Sequence, residues 1–267
     1  MRPAMSTNID SKEYTNAIFI SDRASTSATP DDGDDIFDAN RAIDRAIDIC
    51  TNALICGTKM LFPASMSMTI DSKEYTDAIT IVDRASTSAA PGDGDDLFDA
   101  VRVIDRNALK IYPDDEAKEE LWKRAYGSWK LVLATGGGKN KAFKTVPIFA
   151  FAMLDEQNFG NGVGINEKNI LLSLLGPHEL VTRRRQMIIN IDDVFLGSRK
   201  VTKNVPGFLS DGMGLGKRPV DYKNAGGRPP AFTFIAASDK SLIARGGTGG
   251  IAIWTRLEED IRPAAYS

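Results

Sequence analysis

The chain predicts a mainly β C-terminal domain, a small antiparallel barrel, preceded by an extended arm that carries two amphipathic helices. Three observations carry this reading. After residue 113, short apolar runs alternate with Gly, Pro and Asn turns, as in an all-β sandwich or barrel. Before it, a tandem repeat is built mostly from polar residues. The charge divides at the same place: residues 1–112 hold 11 Lys/Arg against 19 Asp/Glu (−8), and residues 113–267 hold 22 against 17 (+5). Domains are therefore expected at 1–112 and 113–267.

The repeat comes first. Ile9–Arg45 and Ile70–Arg106 align at a constant offset of 61 without a gap, with 29 identities in 37 positions. The segments DRASTSA and DDGDD in each copy hold too little apolar material to offset ordering entropy. Each copy therefore reads as a docking peptide that orders on an equivalent surface, the plainer alternative being a duplicated linker. The expected contact residues are Tyr14, Ile18, Arg23, Phe37 and Ile43 in the first copy, and Tyr75, Ile79, Arg84, Phe98 and Ile104 in the second. Each copy ends in a capped amphipathic helix, with an apolar stripe at Ile36, Ile43, Ile47, Cys50 and Leu54, or at Leu97, Val101, Ile104, Ala108 and Ile111. The Asp-rich lead-in suits the helix dipole, and its Gly and Glu offsets miss the calcium-loop pattern.

Asp114–Arg124 predicts a short helix, acidic first and basic last. Strands are expected at Lys130–Thr135, Val146–Leu154, Gly162–Ile165, Asn169–Leu175, Glu179–Arg184, Met187–Ile191, Val194–Gly197, Ala231–Ala237, Ser241–Arg245 and Gly250–Leu257. A long loop is expected at 198–230. The run Arg183-Arg184-Arg185 reads as one solvated strand face, and His178 as a turn residue after Pro177.

Much chemistry is excluded. One histidine and two cysteines, Cys50 and Cys56, rule out multi-histidine metal sites and a disulfide framework. There is no nucleophile elbow, and Gly138-Lys139, Gly214–Lys217 and Gly160-x-Gly162-x-Gly164 miss the phosphate-loop and dinucleotide spacings, so they read as hairpin turns. An acidic first half opposes nucleic acid. No apolar run reaches the ~18 residues of a membrane span. No catalytic residues are assigned and the chain is expected not to be an enzyme.

The ends of the second half resemble a known family. Gly127-x-Trp129 opening the first strand and Arg256 closing the last is similar to the lipocalin arrangement, in which the Trp packs against an Arg at the closed end of the barrel. GSWKLVLAT and SDKSLIARGGTGGIAIWTRL resemble the opening and closing stretches of plastid lipid-associated proteins, the fibrillins, over roughly residues 114–258. The matching positions are Gly127, Trp129, Asp239, Leu242, Arg245, Gly246, Gly250 and Arg256. Ala236-Ala237, Ala244 and the long loop depart from the pattern, which counts against a roomy cavity. The resemblance implies a plastid setting, peripheral on the stromal side of the thylakoid membrane. Combined with the repeat, it implies a scaffold or linker joining two homologous subunits, antenna proteins for example. No cofactor is required; chlorophyll, carotenoid or lipid would sit at the partner interface. The alternative is a lipocalin-like carrier of lipid, quinone or carotenoid.

Overall fold

The computed structural model describes residues 72–92, 94–135, 142–205, 214–247 and 249–261, together with 207 and 210, all within one compact unit, Asn52–Ser267. The first repeat copy, with Tyr14, Ile18, Arg23, Phe37 and Ile43, lies outside the described residues.

Ten strands form one sheet: β1 (Gly127–Thr135), β2 (Phe143–Leu154), β3 (Asn158–Asn166), β4 (Asn169–Val181), β5 (Gln186–Ile189), β6 (Asp193–Leu196), β7 (Arg199–Lys200), β8 (Ala231–Ala237), β9 (Ser241–Gly246) and β10 (Ile251–Arg256). Pairing runs β1-β2-β3-β4-β5-β8-β9-β10 and returns to β1, every step antiparallel. These eight strands close an up-and-down barrel, and the hairpin β6–β7 adds to β4 on the edge opposite β3, ahead of β5. Closure in this order leaves the barrel strands without an open edge. The expected small antiparallel barrel is what the chain forms.

Cross-strand register separates the two faces of the wall. Trp129, Leu131, Ala150, Ala152, Val163, Phe159, Phe232, Phe234, Leu242 and Trp254 share one face. The rings of Phe159 on β3 and Phe232 on β8 lie 5.9 Å apart although the two strands are not neighbours, so this face is the interior. Ile243, Ile253, Leu133 and Ala236 point outward from the same strands.

That outer face is covered by the second repeat copy. Helix α1 (Ser72–Ser88) and helix α2 (Gly94–Ile111) place Ala78, Val82, Ala85, Leu97, Val101 and Ile104 against Leu133, Ile235, Ile243, Ile251 and Ile253 in one buried cluster. Of the two expected amphipathic helices, that of the second copy is α2 and that of the first lies outside the described residues; α1 is a further helix that neither apolar stripe predicts. Both α1 and α2 are folded onto the barrel, and the junction expected at 112/113 falls inside one packed core. The sequence reading judged DRASTSA too polar for a core; its polarity is used instead. Asp83 accepts hydrogen bonds from Ser241 Oγ at 2.5 Å and Ser238 Oγ at 2.7 Å, and Ser86 is fully buried with its hydroxyl on the Asp83 carbonyl. Arg245 Nη2 donates to Asp105 at 2.6 Å. The five residues expected to meet partners divide accordingly. Ile104 is fully buried in the shared core, Tyr75, Ile79 and Phe98 pack against it, and Arg84 is exposed.

Helix α3 (Asp115–Ala125) is capped by Asp114, whose carboxylate accepts from Ala117 N at 2.8 Å, and sends Trp122 edge-on onto Phe234 at 5.0 Å. The helix thereby closes the barrel end near β8. Of the carried-over residues, Gly127, Trp129, Asp239 and Arg256 lie at the same end, and Arg245, Gly246 and Gly250 at the other. The guanidinium of Arg256 sits 4.1 Å over the Trp129 indole, which is fully buried and donates from Nε1 to Ala125 O at 2.8 Å. Arg256 donates to Asp239 O, Tyr126 O and Arg124 O at 3.1, 3.0 and 2.6 Å. Burial lowers its pKa from the usual guanidinium value. Gly127, at φ 123°, leaves room for that side chain: a Cβ there would stand 2.8 Å from Arg256 Nη1. Leu242 is buried, Arg245 forms the Asp105 pair, and Gly246 and Gly250 flank the β9–β10 turn, where Gly246 N donates to Gly250 O.

Several local expectations are corrected. Gly160, Gly162 and Gly164 lie inside β3, not in a turn; a Cβ at Gly162 would stand 2.3 Å from Leu172 O and 2.7 Å from the Phe151 ring. Residues 179–181 continue β4 instead of forming a separate strand, and Thr182–Arg184 is a 3-10 turn. Arg183 and Arg184 are exposed, whereas Arg185, at φ 51°, is buried and donates to Phe234 O at 2.8 Å, so the run is not one solvated face. His178 is a half-buried β4 residue with Nε2 2.9 Å from Asp155 O. The loop 198–230 contains β7 and a short helix, α4 (Pro219–Asn224), and is tied down where Arg218 grips Asp192 through two bonds of 2.7 and 2.9 Å.

Three outcomes are expected. Trp129→Ala removes a fully buried indole and lowers stability by about 3–5 kcal/mol in urea unfolding. Val101→Asn, which imports the first copy's Asn40 at a fully buried contact, costs about 2–4 kcal/mol by the same measurement. The Tyr75 hydroxyl is bonded to Tyr112, and burial, the larger cause, raises its pKa above 10.0. A raised folded-state pKa means that the folded protein holds this proton more tightly. The contribution is complete below pH 10.0 and is lost as pH rises beyond it. The urea midpoint should fall between pH 9 and pH 11, and Tyr75→Phe should flatten that fall.

Candidate functional site

Two places in a barrel can take a guest: its interior and a recess in its wall. The interior is occupied at the level of the aromatic residues. Phe232 meets Phe159 at 5.9 Å and Trp254 at 5.8 Å, the latter edge-on at 90°, so rings from β3, β8 and β10 meet across the lumen. Trp129 fills the closed end beneath Arg256. An eight-stranded barrel is just wide enough to be filled by side chains or to hold one small ligand, and these large rings take up that width.

The wall is different. On β1, Leu131 pairs with Ala150 and Leu133 with Thr145, so a two-residue step on β1 faces a five-residue step on β2. The four residues Val146–Phe149 face Val132 alone on β1, three more than it can pair, so β2 bulges there, and Pro147 among them has no N–H to give the ladder. Across from the bulge stands the tip of the β3–β4 hairpin. It is held by Asn166, whose side-chain oxygen accepts from the backbone N–H of Lys168 and of Asn169, each at 3.0 Å. Between bulge and hairpin lies a groove of about 590 Å³, open to solvent. Val146, Pro147, Ile148, Phe149 and Ile165 form its apolar wall, and Lys130, Asn166, Glu167, Lys168 and Asn169 its polar part.

Three features describe its chemistry. Phe149 is buried and stacked on Phe151 with centroids 6.1 Å apart, a rigid floor. Lys130 Nζ lies 5.9 Å from the Phe149 centroid, so an ammonium stands at the apolar surface. Ile165 is 54% exposed, a large aliphatic side chain held in water at the groove's edge. No group of three or more potential metal ligands occurs among the described residues.

None of the residues expected from the sequence to bind a partner lines this groove, and none of its lining residues was singled out. A legible signal existed. Proline within the apolar run Phe143–Leu154 cannot donate to a central ladder, and it marks the position where the strand leaves the sheet.

No protein-family model matches the chain, and no curated protein matches it. Among solved structures, a lipocalin-like protein from Bacteroides uniformis ATCC 8492 is 14% identical with a TM-score of 0.32, the match covering 50% of this chain and 99% of that one. An uncharacterized protein from Bacteroides eggerthii DSM 20697 is also 14% identical with a TM-score of 0.32, covering 49% of this chain and 98% of its own.

Proposed function

We propose that this protein is a non-enzymatic carrier that holds one small, apolar-bodied molecule of the lipid or quinone kind in the groove between the β2 bulge and the β3–β4 hairpin. The observation that carries the reading is the groove itself. Its volume of about 590 Å³ lies within the 300–1,000 Å³ typical of small-molecule sites, and its lining divides evenly between five apolar residues and five polar ones that can fix orientation. Burying the exposed Ile165 and the side chains of Val146 and Ile148 under a ligand would supply roughly 25 cal/mol for each Å² removed from water.

The linker reading has less support. It needs both repeat copies available to outside partners, and the second copy is engaged with its own barrel through Asp83, Asp105 and the apolar cluster. A thylakoid setting, antenna partners and bound pigment rest on the sequence resemblance alone.

The test is an equilibrium titration of the full chain with N-phenyl-1-naphthylamine, a neutral probe that fluoresces in apolar surroundings. One saturable site is expected, and Ile148→Asp should weaken it at least tenfold while thermal unfolding stays near that of the parent. Absence of saturation, or binding indifferent to both Ile148→Asp and Ile165→Asp, would remove the proposal.

A further inference from the structure

We infer that the groove's guest is a single-chain lipid anion of the fatty-acid class, its carboxylate held at Lys130 and Lys168 and its chain lying along Val146–Ile148 and Ile165. The inference rests on the carrier reading and specifies its ligand.

The charge distribution supports it. Lys130, Lys168 and Glu167 line the groove, two cationic residues against one anionic. Lys130 projects from the middle of β1, where its ammonium faces the Phe149 ring and makes no ion pair among the described residues. Lys130 is half-buried, and a ligand carboxylate reaching its ammonium beside an apolar floor gains more than it would in open water. Lys168 stands on the hairpin turn that Asn166 fixes, so its position does not depend on a wandering loop. Neutral carotenoids and quinones would cover the aliphatic wall yet give neither ammonium a partner.

The shape argues for one chain. The apolar lining is a narrow band of one bulge and one edge residue, and about 590 Å³ of open groove accommodates a single alkyl tail better than a pair. A carboxylate at the Lys130 end then leaves the tail directed toward Ile165, whose exposure the tail would relieve.

The experiment titrates the full chain with cis-parinaric acid and, in parallel, with its methyl ester, reading polyene fluorescence at 0.15 M salt. The acid should bind at one site at least tenfold more tightly than the ester. Lys130→Gln should weaken the acid about tenfold and leave the ester within twofold, and Lys168→Gln should do the same to a smaller degree. Glu167→Gln, which removes the opposing charge, should tighten the acid two- to threefold. Should Lys130→Gln lower the melting temperature, the Lys168→Gln and Glu167→Gln shifts, opposite in sign, carry the comparison. Equal binding of acid and ester, unmoved by these variants, overturns the anion assignment while the carrier reading stands. Failure of acid, ester and the neutral probe to bind overturns both.

Discussion

The structure depends on one residue placed where chain closure, helix and core meet. Arg256, the last residue of β10, sits over the Trp129 indole and reaches three carbonyl oxygens with its N–H groups. Two of those carbonyls, of Arg124 and Tyr126, belong to the end of α3 and the residue after it, where backbone oxygens lack intrahelical donors and a cation is favourable. The third belongs to Asp239 in the β8–β9 turn. One side chain therefore joins the first strand, the last strand, the capping helix and a hairpin. The indole completes the arrangement by donating to Ala125 O. An isolated arginine over an indole contributes modestly, on the order of 0.5–2 kcal/mol. Its importance here is positional, because Trp129 and Arg256 pair in register and so fix how β1 and β10 close the barrel.

The second repeat copy shows why polarity misleads in a sequence. By composition alone DRASTSA does not enter a core, because Ser, Thr and Asp do not offset ordering entropy. Along α1, however, Ala78, Val82 and Ala85 recur at helical spacing and are enough to seat the helix, because the barrel face supplies Ile235, Ile243 and Ile253. Asp83 among them then accepts from Ser238 and Ser241, hydroxyls that only the folded barrel presents. The sequence shows the handle but not the hand. By contrast, α2, with its unbroken stripe of Leu97, Val101, Ile104 and Ala108, was legible as a helix, as was α3 with its Asp114 cap.

The same divide separates barrel from site. The strands could be read because alternating apolar runs between glycine and proline turns are a local property. Trp129 and Arg256 could be paired because the resemblance joined the two ends of the domain. The groove could not, because it arises from a mismatch between two strands: β2 supplies more residues than β1 can pair, and only the register reveals the surplus. The glycines of β3 were misread for a related reason. At Gly160 and Gly162 the missing side chain answers crowding by Met153 and Phe151 on β2 and by the Leu172 carbonyl on β4, constraints set by neighbouring strands, whereas Gly164 meets the backbone of the β3–β4 turn at Asn166 and Asn169.

The two repeat copies are alike in their polar handles and different in their wedge. Asp22 and Asp44 correspond to Asp83 and Asp105, and Ser25 to Ser86, so the first copy keeps every group with which the second grips the barrel by charge and hydrogen bond. At the two positions where the second copy inserts fully buried valines, Val82 and Val101, the first has Ser21 and Asn40. Placed on a face made of Ile235, Ile243 and Ile253, a serine and an asparagine would lose water without gaining partners, at about 1–3 kcal/mol each. The two copies thus share the carboxylates and the serine used by the second one, and differ at two positions where that copy packs most deeply on the barrel.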